Sequence, residues 1–359
     1  MDKHRHIALL GDGNSVHLQR WAREMAARGW RLSIVTARPA AAGDLADGVA
    51  QHVLPPVRRS SDWLWRAGAA RRALAALQPD LVHAHYITSY GWLGARSGRQ
   101  PLMLTAWGSD LLLTPRMSRA KKWLTAWSLR RAQLVTGDSP DLLDAARALA
   151  PRVPVQIIHW GVDRQRFAPA PWAEKPGFEA VSLRSWEPLY RIDCVLRAFA
   201  QVCQRVPHAR LHLLGGGAQE AALRALAQQL ALPEGALAWH GRLDDAGMAA
   251  VLARCKLSIS VPESDATSVS VLESMACGLA VIASDLPANR HWLPAAAIVP
   301  VGDAQALAAR WIALAEGDAA AAQEGAHNAA RIAREGGRRA QMDAASAAYE
   351  RLLHAVGKR

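Results

Sequence analysis

KLSISVPESDATSVSVLESMACGLAVIASD, residues 256–285, is the stretch that decides the fold. An apolar run ends at Val261, a polar loop covers 262–268, a helix starts near Ser270 and stops at Gly278, and the apolar run LAVIASD follows. Strand, loop, helix and strand in this order make the crossover unit of a parallel sheet. The N-terminus of such a helix presents unpaired amides and about half a positive charge, a seat for phosphate. The amides of Ala266, Thr267, Ser268 and Val269 are placed to meet it. Asp265 stands before the helix and Glu273 in its first turn. Carboxylates are poor phosphate ligands and good acceptors for sugar hydroxyls. A phosphate seat between two hydroxyl readers suits a nucleotide sugar. The competing reading of Ser270-x-x-Glu273 is a capping box, in which Glu273 only caps its own helix.

The same rhythm extends in both directions. Upstream, FEAVSLRS, RLHLLGGG and ALAWHG alternate with helical stretches, and the chain ends in Ala-rich helix. The first half repeats the pattern: HIALLGDG, a helix from Val16 to Gly29, RLSIVTARP, LVHAHY, PLMLTAW and AQLVTGDS. The proline-bearing segment PVQIIHWGVDRQRFAPAPWAEKPG closes that half. The expected architecture is α/β, with two doubly wound Rossmann-like domains facing a central cleft. Their bounds are 1–168 and 169–339, with a last helix at 340–359 packing back onto the first domain.

Composition narrows the function. Of 359 residues, 51% are hydrophobic and 21% charged, enough for real cores. No apolar stretch reaches the ~18 residues of a membrane span, and the start lacks the apolar run of a signal peptide. Cys194, Cys203, Cys255 and Cys277 lie far apart and read as buried thiols of a reducing compartment. A cytoplasmic chain is expected. Residues 1–166 hold 24 Lys and Arg against 12 Asp and Glu, so this half carries the whole net charge of +12. PRMSRAKKWLTAWSLRRAQL and DWLWRAGAARRAL set Trp63, Trp65, Trp123 and Trp127 among cations, the make-up of helices that lie on an anionic membrane surface. The alternative is ordinary helices with buried Trp and solvated cations. No basic-aromatic recognition module is legible, so nucleic acid is not an expected partner.

The segment Asp265-ATSVSVL-Glu273-SMACGLAVIASD resembles the donor-binding signature of the family 4 (group 1) retaining glycosyltransferases, which have the GT-B fold. LVHAHY, LTAWGSD, IIHWGVDRQRFAP, LHLLGGG and WHGRL match the family in order. The resemblance implies that Glu273 binds the donor ribose and Asp265 the transferred sugar. It implies that the amides of Thr267, Ser268 and Val269 hold the diphosphate. It further implies an Arg and a Lys that neutralise the diphosphate. Arg184 matches the first by its place at a strand end, and Arg191 is the nearest cation to the second. The alternative for Arg191 is a surface pair with Glu187 or Asp193. Arg184, Arg191 and Asp265 are thus the expected catalytic set, acting by front-face displacement with no metal required. The donor is a nucleotide sugar, UDP- or GDP-linked, and the acceptor a glycan or lipid-linked glycan in envelope or exopolysaccharide synthesis. The alternative is a non-catalytic protein of this fold that binds nucleotide sugar or glycan.

In the first half, Gly11-x-Gly13 lacks the third glycine of a dinucleotide fingerprint, since Val16 stands there. The resemblance reads Gly13 as allowing close approach of the sugar, and His17, Trp107 and His85 as cleft or acceptor residues. Trp107 stands where the family often has His, and indole cannot exchange a proton near neutrality. His83 and His85 share one face of a strand. A metal pair is one reading, but no third ligand is legible nearby, and the favoured reading is core or cleft-lining histidines.

Overall fold

The computed structural model describes residues 5–41, 43–59 and 61–356. They form two compact units: one runs to Trp160 and resumes at Gln341, the other is Gly161–Ala340. The first holds strands β1 (His6–Leu10), β2 (Arg31–Thr36), β3 (Ala50–Val53), β4 (Leu81–His85), β5 (Leu102–Thr105), β6 (Leu134–Gly137) and β7 (Val155–Ile157). All pair in parallel, in the order β3-β2-β1-β4-β5-β6-β7. The second holds β8 (Glu179–Ser182), β9 (Arg210–Leu214), β10 (Leu237–Gly241), β11 (Leu257–Ser260), β12 (Ala280–Ser284) and β13 (Ile298–Val299). These too are parallel, ordered β10-β9-β8-β11-β12-β13.

β1, β4, β8, β11 and β12 are buried along their whole length, as helices on both faces of a parallel sheet require. Edge strands β3 and β7 are only half-buried, so no apolar run marks them in the sequence. In each sheet the chain reverses direction of travel once, between β1 and β4 and between β8 and β11. Open α/β sheets bind ligands outside the carboxyl ends of strands at such a switch point.

The second unit begins at Gly161, ahead of the 168/169 boundary expected from sequence. Val162 bridges to Gly337, its N–H donating to the Gly336 carbonyl at 2.8 Å, and Val162 and Phe167 lie in the second unit's core. Gly161 has φ +72°, and a Cβ there would stand 2.4 Å from Arg338 Cα, so only glycine lets the two strands of chain run side by side. The helix Arg338–Val356 gives Met342, Ala345, Ala348, Tyr349 and Leu353 to the core of the first unit. Trp21 donates to the Tyr349 hydroxyl at 2.9 Å and Trp30 to Ser346 Oγ at 2.9 Å.

Cys194, Cys255 and Cys277 are buried free thiols, while Cys203 is half-buried. Burial raises the Cys194 thiol to about 11 and Cys277 to about 12, which keeps both protonated and unreactive.

Candidate functional site

Both switch points carry polar side chains, and the second unit's is the more tightly built. Arg184 follows the end of β8. Its backbone is pressed against the glycines after β9: a Cβ on Gly215 (φ +146°) would stand 2.5 Å from the Arg184 carbonyl oxygen, and one on Gly217 2.4 Å from that of Trp186. Trp186 N–H donates to the Gly216 carbonyl at 3.1 Å, and Gln219 N–H to that of Trp186 at 2.9 Å. The glycine run thus fixes where Arg184 leaves the sheet.

The Arg184 guanidinium lies 4.3 Å from the centre of the Tyr190 ring. Its NH2 donates to Asp265 Oδ2 at 2.7 Å, and its NH1 to Ser270 Oγ at 3.2 Å and to Ser268 Oγ. The two serine hydroxyls are 2.9 Å apart. Burial raises the Asp265 carboxyl above its usual range, opposed by Arg184 and by the Ala266 amide. Three of the expected donor-binding residues, Arg184, Asp265 and Ser268, therefore meet in one network. Ser270 and Tyr190 join it. A run of alternating serines is common enough to hide the first, and the second is distinguished only by the fold.

The helix after β11 spans Val269–Ala276, with Ser268 as N-cap and no side-chain cap bond. A capping box would need Ser270 at the cap. Ser270 is instead the second helical residue, so Ser270 and Glu273 do not stand at the two positions of a capping box. Glu273 is buried, as are Thr267 and Ser268, while Val269 is half-buried.

Arg191, the cation that the resemblance assigns to the diphosphate beside Arg184, is held by two carboxylates of its own unit. With φ +51° it starts the helix Ile192–Arg205, and its Nε and NH2 fork onto Asp193 at 3.1 and 3.2 Å. Its NH1 donates to Glu263 Oε1 at 2.9 Å. These two carboxylates hold its charge high and tie the 188–191 turn to the loop after β11. Glu187 is not its partner and accepts instead from the Ala218 amide at 3.0 Å.

At the first unit's switch point, four rings gather at strand ends. His17, early in the helix Val16–Ala27, lies with its ring centre 5.8 Å from Trp107 and 4.9 Å from Trp160. Trp107 and Trp160 meet edge to face at 5.2 Å. His85 lies beneath, and its Nδ1 accepts from Trp107 Nε1 at 3.4 Å. Burial, with His17 adding, lowers the His85 imidazole to about 3, so it is neutral. Trp107 therefore orients a neutral histidine and takes no proton itself. Buried Asp110 accepts from the amides of Ile87, Trp107 and Gly108 at 2.8, 3.0 and 3.0 Å, joining the loops after β4 and β5. Trp160 follows the half-buried β7 and carries no sequence signal beyond its place in IIHWG.

Gly13 and His83 are both engaged by this unit's own packing. Gly13 is crowded by its own chain: a Cβ would meet the Arg38 carbonyl and Gln51 Oε1 at 2.9 Å, so packing requires the glycine. His83 is fully engaged, with Nδ1 2.6 Å from the Tyr349 hydroxyl and Nε2 2.7 Å from Thr105 Oγ1, which sets aside a His83–His85 metal pair. Among the described residues, Glu179, His212 and Cys255 come within reach of a common ion. Glu179 opens β8 at the end away from Arg184, and Arg254 forks its carboxylate at 2.7 and 3.0 Å, which makes this an ion-pair centre.

Residues 6–139 match the model of the glycosyl transferase 4-like family, and residues 181–317 that of glycosyl transferases group 1. A phosphatidyl-myo-inositol mannosyltransferase of Mycolicibacterium smegmatis is 33% identical over 167 residues, which are 44% of this chain and 42% of that protein. The chain is thus matched along less than half of that relative's length. Among solved structures, sucrose-phosphate synthase of Thermosynechococcus elongatus shares the fold with a TM-score of 0.84 at 18% identity, over 98% of this chain and all of that one. Anabaena HepE, solved in complex with UDP-glucose, follows at 0.81 and 17%, over 97% of this chain and all of that one. Two Rossmann-like sheets, each with its side chains gathered at the switch point, match the GT-B fold. Together with the two family models, they place the chain among the glycosyltransferases built from a glycosyl transferase 4-like half and a group 1 half.

Proposed function

We propose that this chain is a retaining glycosyltransferase that moves a sugar from a nucleoside diphosphate donor to a glycan or lipid-linked acceptor in envelope or exopolysaccharide synthesis. The observation that carries the reading is the joining of Arg184, Asp265, Ser268 and Ser270 at the start of the helix that bears Glu273. In this reading Glu273 accepts from the ribose hydroxyls and Asp265 from the transferred sugar. Arg184 and the first-turn amides of the helix Val269–Ala276 stabilise charge on the departing diphosphate, the leaving-group side of a front-face displacement. That charge is met by the chain's own groups, so no metal is required. HepE's UDP-glucose and the relative's mannosyl transfer support the donor class. The rings of His17, Trp107 and Trp160 over neutral His85 are assigned to the acceptor, since aromatic faces pack on sugar rings.

Melting of wild type and Glu273→Ala with UDP, GDP or ADP, each with and without EDTA, tests the donor site. A nucleotide at ~100 times its dissociation constant adds about 2.7 kcal/mol. One nucleotide is expected to stabilise the wild type, insensitive to EDTA, and to stabilise the variant much less. No shift of the wild type by any nucleotide would overturn the reading. The anomeric configuration of the product, read by NMR, tests retention.

The basic helices support an anionic membrane surface as partner. Each has one half-buried and one exposed Trp: Trp63 packs on Tyr90 at 4.7 Å while Trp65 is 77% exposed, and Trp127 packs on Trp92 at 4.8 Å while Trp123 is 57% exposed. Met117, 67% exposed, adds apolar surface beside Arg116, Arg119, Lys121 and Lys122. Among the described residues no helix is long and apolar enough to cross a membrane. Sedimentation with phosphatidylglycerol vesicles is expected, and none with phosphatidylcholine alone. Trp65→Ser with Trp123→Ser should weaken it about tenfold; equal binding to both lipids would sink the idea.

A further inference from the structure

The donor site places a carboxylate on the cation that a diphosphate needs. Arg184 NH1 is committed to the hydroxyls of Ser268 and Ser270, and NH2 to Asp265 Oδ2 at 2.7 Å. The Arg184 side chain is 10% exposed and that of Asp265 23%, so water screens the pair only in part. A phosphate oxygen drawn to this guanidinium meets a negative charge already bound there. Arg191, the next cation along the chain, is likewise held by Asp193 and Glu263.

We propose that Asp265 makes the site discriminate a sugar nucleotide from the bare nucleoside diphosphate, by competing with the diphosphate for Arg184 and regaining that loss only when a sugar hydroxyl takes its place on the carboxylate. This rests on the proposed donor site. The competition follows from charge: like charges within ~5 Å disfavour one another, while a hydroxyl donated to an ionised carboxylate makes a strong hydrogen bond. A diphosphate without its sugar supplies the repulsion and lacks the compensating hydroxyl. The consequence for turnover is that the nucleoside diphosphate left after transfer is held less tightly than the donor was. Ser268 and Ser270 keep the guanidinium in position when the carboxylate gives it up.

The experiment is calorimetric titration of wild type, Asp265→Asn and Asp265→Ser with UDP, GDP, UDP-glucose and GDP-mannose. Removing the charge is expected to tighten diphosphate binding about tenfold and to lower the preference for the sugar nucleotide by at least that factor. A merely structural role predicts the opposite sign, since losing a partner of Arg184 then loosens the site for every ligand. Asp265→Ser guards against an Asn that folds poorly, because it leaves a small hydroxyl beside Ser268. Equal or weaker diphosphate binding in both variants, with a wild type that binds, overturns the inference and leaves the donor site standing. A wild type that binds none of the four ligands overturns both.

Discussion

Arg184→Ala is expected to lower the turnover of donor by about 10²–10³-fold, the range seen when one group that stabilises developing charge is removed from an active site. The expectation follows from what the guanidinium does at once. It balances Asp265 at 2.7 Å, holds the hydroxyls of Ser268 and Ser270, and is the cation that joins them at the start of the helix bearing Glu273. Without it a partly buried carboxylate loses its partner, at a cost of about 2 kcal/mol. For a unit of this size that lowers the melting temperature by roughly 4–8 °C. The loss in turnover is the larger effect, so kinetics at 20 °C, well below the melt, separates it from unfolding. Arg184→Lys sharpens the test. An ammonium keeps the charge and loses the fork, so stability should recover more than turnover does. If lysine restores turnover fully, the geometry of the fork is irrelevant, and Arg184 contributes charge alone.

The parts of this site legible in the sequence are those whose neighbours are close in sequence. Asp265 and Glu273 lie on one strand, loop and helix, and the local pattern sets their places. Arg184 is legible because it ends a recognisable apolar run. Arg191 is different: its fork onto Asp193 is local, but its bond to Glu263 joins residues 72 apart. No spacing rule finds such a pair. The packing around Gly13 is hidden for the same reason, since the carbonyl that excludes a side chain there belongs to Arg38 on the following strand's loop.

Edge strands account for most of what the fold kept hidden. β3 is AQHV and β7 is VQI, both half-buried, and neither shows the continuous apolar run of β1 or β4. Trp160 depends on β7 for its position, so its meeting with His17, His85 and Trp107 follows only from the completed sheet. Burial also changed the meaning of residues that were visible. His83 and His85 were a legible pair, yet one is consumed by Tyr349 and Thr105 and the other is held neutral.

The three glycines of LHLLGGG are expected to respond unequally to alanine, and the inequality decides why they are there. At Gly215 a Cβ meets the Arg184 carbonyl at 2.5 Å with φ at +146°, so both space and backbone forbid it. At Gly217 the Trp186 carbonyl stands 2.4 Å away. Neither carbonyl belongs to a flexible side-chain end, so the 184–186 segment itself must shift. Gly215→Ala and Gly217→Ala should each cost about 3 kcal/mol or more, a melting shift of roughly 6–12 °C. They should also abolish the stabilisation by nucleotide, because moving this segment moves Arg184. Gly216→Ala meets only the Arg242 side chain, at 3.4 Å, and should fall within about 0.5 kcal/mol of wild type with nucleotide binding intact. A glycine run that serves as a phosphate cradle predicts another order, in which the central glycine is the most sensitive in binding and all three are mild in stability. Melting curves of the three variants, with and without the nucleotide that stabilises the wild type, separate the two. The structure commits to the first: these glycines let one loop of the protein lie against another, and Arg184 is fixed as a consequence.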